Sequence, residues 1–194
     1  MRRLVYLVAV TLDGFIAGPD GGDPSGSEWF PVTPDLVEHL VATWPETLPG
    51  PAREALGIEG PGEAFDTVVE GRGSYEIGLA AGLDDAYPHL RHLVVSSTLA
   101  DRSDLPVEVV AGDPLERVRQ LKAEEGKDIW LVGGGTLAHA LLPEVDRLVL
   151  KVNPSVIGDG TRLFEGPFAH ARFEPVDQVD LAGGVRVVTL DRVR

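Results

Sequence analysis

Short apolar runs alternate along the chain with glycine-bearing turns and amphipathic stretches. Residues 3–10, Arg-Leu-Val-Tyr-Leu-Val-Ala-Val, are almost continuously apolar and rich in β-branched side chains, which predicts a strand buried on both faces and central in a sheet. Asp13 interrupts the run early and no small-residue cleavage signature follows, so the opening reads as a first strand rather than a leader. Residues 12–22 then break the pattern with Gly14, Gly18, Gly21 and Gly22. They form a loop leaving the strand end, where α/β proteins place ligands. Leu36, Val37, Leu40, Val41 and Trp44 recur at helical spacing behind Thr33 and Pro34, predicting a helix over 33–44. The prolines and glycines of residues 45–62 predict a long, partly irregular connection.

The middle of the chain repeats strand, turn, helix. A strand over 65–70 meets Gly71-Arg72-Gly73-Ser74 and a short helix to about residue 82. Strands follow over 92–96 and 107–111, and Asp113 is placed to cap a helix that carries Leu115, Val118 and Leu121 on one face. A strand over 128–132, the turn Gly133-Gly134-Gly135, a helix over 136–142 and a strand over 145–152 complete this part. Residues 152–166 are turn-rich, and residues 173–193 read as two strands joined at Gly183-Gly184. A βαβ-rich body ending in an antiparallel hairpin predicts a three-layer α/β fold with a mixed sheet, in one domain over 1–194.

Composition narrows the chemistry. With 194 residues, 43% of them hydrophobic, the chain can bury a core without staples. It has no cysteine, which removes thiol catalysis, disulfides and thiolate zinc sites, including that of a fused zinc deaminase, and fits a reducing, cytoplasmic setting. Seventeen basic against 31 acidic residues leave a net charge of −14, which disfavours nucleic acid. No apolar stretch is long enough to span a bilayer. The five histidines are scattered, and His89 and His92 precede and enter a strand rather than share a helical turn, so no metal is expected. Neither a G-x-S-x-G elbow nor a Walker motif is present.

Four separated segments lie in an order that resembles one superfamily: residues 8–17 (Val-Ala-Val-Thr-Leu-Asp-Gly-Phe-Ile-Ala), residues 71–76 (Gly-Arg-Gly-Ser-Tyr-Glu), residues 94–98 (Val-Val-Ser-Ser-Thr) and residues 129–136 (Ile-Trp-Leu-Val-Gly-Gly-Gly-Thr). They resemble the dihydrofolate-reductase-like proteins, and within them stand-alone relatives of the C-terminal reductase domain of the bacterial riboflavin deaminase-reductase. The resemblance implies a mostly parallel sheet flanked by helices on both faces, NADPH across the strand ends, a pyrimidine-like or pterin-like substrate and a homodimer built on the C-terminal part of the sheet. It implies that Ala9 and Ile16, at the end of the first strand, line the nicotinamide pocket, where a small and an apolar residue admit the ring and exclude water. Gly71 with Arg72 and Ser74, and Gly133, Gly134 and Gly135 with Thr136 and Leu137, become the phosphate-side turns. Ser96 and Ser97 would meet the 2′-phosphate.

On the substrate side the resemblance points to Asp13 as the polar group at the nicotinamide mouth, with Asp35 and Arg162 as binding residues. Each also has an ordinary reading: Asp13-Gly14 is a turn dipeptide, Asp35 suits a helix start, and Gly158-Asp159-Gly160 beside Arg162 is a tight turn. Gly73 stands where the family usually has Lys or Arg, and Glu70 where it has an apolar residue. Both changes lower the positive potential expected at the phosphates, so a nucleotide-binding module without turnover is the alternative to a reductase.

Overall fold

In the computed structural model, residues 1–100, 102 and 104–194 are described. Ten strands and five helices follow one another as β1 (Leu4–Thr11), β2 (Phe15–Ala17), α1 (Pro34–Thr43), α2 (Gly50–Ala55), β3 (Phe65–Gly71), α3 (Arg72–Ala80), β4 (Arg91–Val95), β5 (Glu108–Val110), α4 (Pro114–Ala123), β6 (Asp128–Gly133), α5 (Gly135–Leu141), β7 (Val145–Asn153), β8 (Thr161–Arg162), β9 (Phe173–Asp180) and β10 (Arg186–Arg192). Eight strands form one sheet in the order β5-β4-β3-β6-β1-β7-β10-β9. Pairing is parallel from β5 through β7 and antiparallel for β7–β10 and β10–β9. The apolar first run thus lies between β6 and β7, where both of its faces can be covered.

Alternation along the strands divides the core between two faces. One face carries Leu4, Tyr6, Val69, Leu93, Leu131 and Leu148 against α4 and α5, through Val118, Leu121, Leu137, Ala138 and Leu141. The other carries Val5, Leu7, Val68, Trp130, Val149 and Val187. On that side α1 packs Leu36 and Leu40 against Val185 of the C-terminal hairpin, while Tyr75 of α3 packs on Val94. Asp113 caps α4 as expected, accepting a hydrogen bond from Leu115 N–H at 2.9 Å, whereas Thr33 stands at the N-cap position of α1 without a side-chain cap bond; prolines open both helices.

Two expectations are corrected. Residues 45–62 contain a 3-10 turn, Pro45–Thr47, and the helix α2, because their prolines occupy first-turn positions that start helices rather than break them. Glu46, fully buried, fastens this segment by accepting N–H bonds from Ala64 and Phe65 at 2.8 and 2.7 Å. The two turn-rich loops at 12–22 and 152–166 pair with each other through β2 and β8, Phe15 facing Arg162 and Ala17 facing Thr161. Ile16 therefore belongs to this small second sheet and not to the end of β1. A pairing across that separation leaves no local period to read.

Candidate functional site

Backbone contact at the carboxyl ends of the parallel strands brings the two glycine turns together. A Cβ placed on Gly71 would stand 3.4 Å from Gly133 O, 3.6 Å from Gly134 N and 3.7 Å from the Leu137 Cβ. The ends of β3 and β6 thus make one low-walled surface in which main-chain groups rather than side chains are presented. The Gly133–Gly134 peptide is cis, and Gly133 has φ +132°, a conformation that side-chain-bearing residues rarely adopt. Ile16 is brought to the same place, its Cδ1 3.8 Å from the Cβ position of Gly133. Gly135 is the tightest point: its Cβ would lie 2.0 Å from the Arg162 carbonyl oxygen, and its own carbonyl accepts Glu165 N–H at 3.0 Å.

Polar donors stand along the next strand ends. Arg72, exposed at the start of α3, places Nη1 3.4 Å from Thr98 Oγ1 and Nε 3.7 Å from the Glu76 carboxylate. Ser96 is buried, with its Oγ 3.2 Å from Thr98 Oγ1 and accepting Leu99 N–H. Ser97 and Thr136 are exposed, and Ser74 is half-buried in the first turn of α3. A hydroxyl that sequence reasoning passed over, Thr98, therefore completes a cluster with Arg72 and Ser96.

Toward the carboxyl ends of its strands the middle of the sheet is incompletely covered. Val132 of β6, Ala9 of β1 and Lys151 of β7 are half-buried although they sit on interior strands, so this carboxyl half lacks a full cover. Lys151 pairs in register with Ala9 and with Val187 of β10, and burial pushes its ammonium down to about 8. Val132 and Lys151 were not candidates from sequence. The signal for Lys151 was a cation within the apolar run 148–152, Leu-Val-Leu-Lys-Val.

The acidic candidates lie in separate loops. The Asp13 carboxylate accepts from the Thr11 hydroxyl at 2.6 Å and from the N–H groups of Ile157 and Gly158, contacts that hold it below the usual carboxylate range. Asp35 accepts Gly183 N–H at 2.8 Å and so anchors the C-terminal hairpin turn. Arg162 is exposed, with no side-chain hydrogen bond or ion pair among the described residues. Glu70 does not face the glycine turn as a free charge. It is buried, and its Oε1 lies 2.8 Å from His92 Nε2, while His92 Nδ1 lies 2.7 Å from Asp85. Burial alone would lower the imidazole, but the bonds to Asp85 and Glu70 lift it to about 9, so a cation compensates Glu70 at neutral pH.

At the opposite, amino end of the strands a groove of about 410 Å³ is lined by Arg3, Trp44, Phe65, Asp128, Arg147 and Val176. Its cations are already paired, Arg3 with Asp128 and Arg147 with Asp191, which leaves no convergent donors there. Among the described residues no group of His, Asp and Glu converges as metal ligands, and no helix is long and apolar enough to cross a membrane.

A mostly parallel eight-stranded sheet with this reversal at its C-terminal edge has a dihydrofolate-reductase-like fold. Dihydrofolate reductase from Enterococcus faecalis, solved in complex with NADP(H), superposes over 99% of this chain and 97% of its own with a TM-score of 0.64 at 18% identity. A putative riboflavin biosynthesis protein from Shewanella sp. PV-4 covers both chains completely with a TM-score of 0.73 at 22% identity. Residues 84–186, just over half of the chain, match the RibD C-terminal domain, and the chain belongs to that family. An uncharacterized protein of Bacillus subtilis, YyaP, is 29% identical over 175 residues, covering 84% of this chain and 80% of its own.

Proposed function

We propose that the protein is an NADPH-dependent reductase of a small pyrimidine-like or pterin-like heterocycle, of the kind that reduces 5-amino-6-(5-phosphoribosylamino)uracil in riboflavin synthesis. The observation that carries this reading is the meeting of Gly71 with Gly133 and Gly134 beside a partly covered sheet face. Side chains at these glycines would fill the surface that a pyrophosphate needs, and the donors Arg72, Ser96 and Thr98 stand next to it, so the residues present fit a phosphorylated dinucleotide. When bound, the cofactor supplies the hydride.

The chain's own groups bind, orient and exclude water. Arg72, Ser74, Ser96 and Ser97 serve the phosphates, and Gly135, Thr136 and Leu137 shape the turn. Ala9 and Ile16 provide the apolar wall for the nicotinamide. On the substrate side Arg162 offers an unpaired guanidinium, whereas the N–H contacts of Asp13 and Asp35 favour roles in holding their loops. The alternative, a nucleotide-binding or interaction module without turnover, loses one support because Glu70 is compensated by His92, and keeps Gly73 and the acidic surface.

Titration with NADPH and NADH, followed by nicotinamide fluorescence and thermal stabilisation, tests the reading, since a ligand of the folded state raises its stability. NADPH is expected to bind more tightly than NADH. Arg72→Ala is expected to weaken NADPH by about 1.5–3 kcal/mol if the guanidinium bonds to phosphate. Absence of NADPH binding by the wild type overturns the cofactor assignment, and unchanged affinity in the variant moves the phosphates away from Arg72.

A further inference from the structure

Among the described cations that are not exposed, Lys151 is the exception. In a chain with 31 acidic and 17 basic residues, carboxylate partners are plentiful. Arg2, Arg3, Arg91, Arg117, Lys122 and Arg147 all have them. The Lys151 ammonium has neither an ion pair nor a hydrogen-bond acceptor among the described residues, although the residue is half-buried and its stem rises from an apolar floor of Ala9 and Val187. Keeping an unpaired cation at such a place costs stability, which burial registers by pushing the ammonium down to about 8. Packing alone would be better served by Leu or Val, the residue types of its strand neighbours Leu148, Val149 and Leu150.

The open face supplies the missing half of the pair. Lys151 stands beside Ala9 where both are half-buried, so a flat molecule lying against Ala9 would cover the ammonium and remove it from water. A negative oxygen on that molecule would form a charge-assisted hydrogen bond in a partly desolvated site, where such bonds are strong. We propose that Lys151 is the specificity-determining residue for the substrate and that it selects planar heterocycles carrying a negative oxygen on or directly beside the ring. The placement of that ring next to the nicotinamide rests on the reductase reading, whereas the pairing of Lys151 with the ring's anion does not.

The test uses two matched pairs of probes, orotate against 6-methyluracil and pterin-6-carboxylate against 6-methylpterin. Each is titrated calorimetrically into the full-length protein with and without saturating NADPH. The carboxylate is expected to bind at least ten-fold more tightly than the methyl compound in one or both pairs. Lys151→Met should erase that preference with NADPH affinity unchanged, and Lys151→Arg should keep part of it. In the wild type, reductive methylation of Lys151 read by peptide mass spectrometry should be blocked by the preferred carboxylate and not by its methyl partner. This readout needs no variant to fold. Equal binding within both pairs, a preference that survives in Lys151→Met, or methylation indifferent to the carboxylate each overturns the proposal. A carboxylate preference in a protein that does not bind NADPH upholds Lys151 and sinks the cofactor reading instead.

Discussion

Replacing His92 by leucine is expected to lower the unfolding free energy by about 3–5 kcal/mol, the range seen when one member of a buried ionic group is removed and its partners are left behind. Side-chain exposure of His92 is 1% and that of Glu70 is 4%, so water cannot take over the abandoned charge. The loss should reach the site as well, since Glu70 directly precedes Gly71, the last residue of β3, and Arg72, the first of α3. Urea denaturation of the two proteins at pH 6.5 measures the effect, and a difference below about 1 kcal/mol would show that the imidazole is not the counter-ion of Glu70 and Asp85.

The same group gives the wild type a pH signature. The folded-state value of about 9 lies above the ordinary histidine value near 6.5, so the stabilisation is complete below about pH 6.5 and declines as pH rises toward 9. At about 1.4 kcal/mol per unit, roughly 2 kcal/mol should disappear between pH 6 and pH 8. Two other groups act with the opposite sign: burial lowers His89, which matters toward the acid side, and lowers Lys151, which matters above about pH 8. Subtracting the stability profile of His92→Leu, which retains both, isolates the His92 contribution. A flat difference would remove the charged histidine from the account.

Gly135→Ala carries the second large expectation. The new methyl group would stand 2.0 Å from the carbonyl oxygen of Arg162, and neither side of that clash is the free end of a flexible side chain. Overpacking of this kind costs about 1–3 kcal/mol. Relief requires residues 162–165 to move, and that segment is tied to the loop after β1 by Leu163 N–H on Gly14 O and to Gly135 itself by Glu165 N–H. Displacement of the turn should weaken NADPH at least ten-fold. Gly73→Ala, where a Cβ meets nothing within 4 Å, is the control for merely adding a methyl group near the turns. If both variants bind NADPH like the wild type, the Gly133–Gly135 turn is not part of the cofactor surface.

Much of the architecture was legible because its cues are local. The apolar run of β1, the Asp113 cap and the glycines after β3 and β6 each announce an element over a few residues, and their order already implied a parallel sheet closed by a hairpin. The β2–β8 pairing was hidden because two strands of three and two residues have no period of their own. Residues 45–62 misled because a proline at the first position of a helix and a proline that ends one look alike until the turn is built.

For the site, the sequence by itself determined which residue types stand at the strand ends: glycines where a backbone must come close, Arg72 and the serines beside them, and Ala9 as a small residue in a central strand. Tertiary structure alone decided their company. It put Gly71 against Gly133, gave Glu70 a buried histidine from the adjacent strand, occupied Asp13 and Asp35 with distant loop N–H groups, and left Lys151 half-buried without a partner among the described residues. The reason is physical. A side chain's direction follows from the period of its own strand, whereas its neighbours and its access to water depend on strand register and helix placement, and these are set by contacts between residues far apart in the chain.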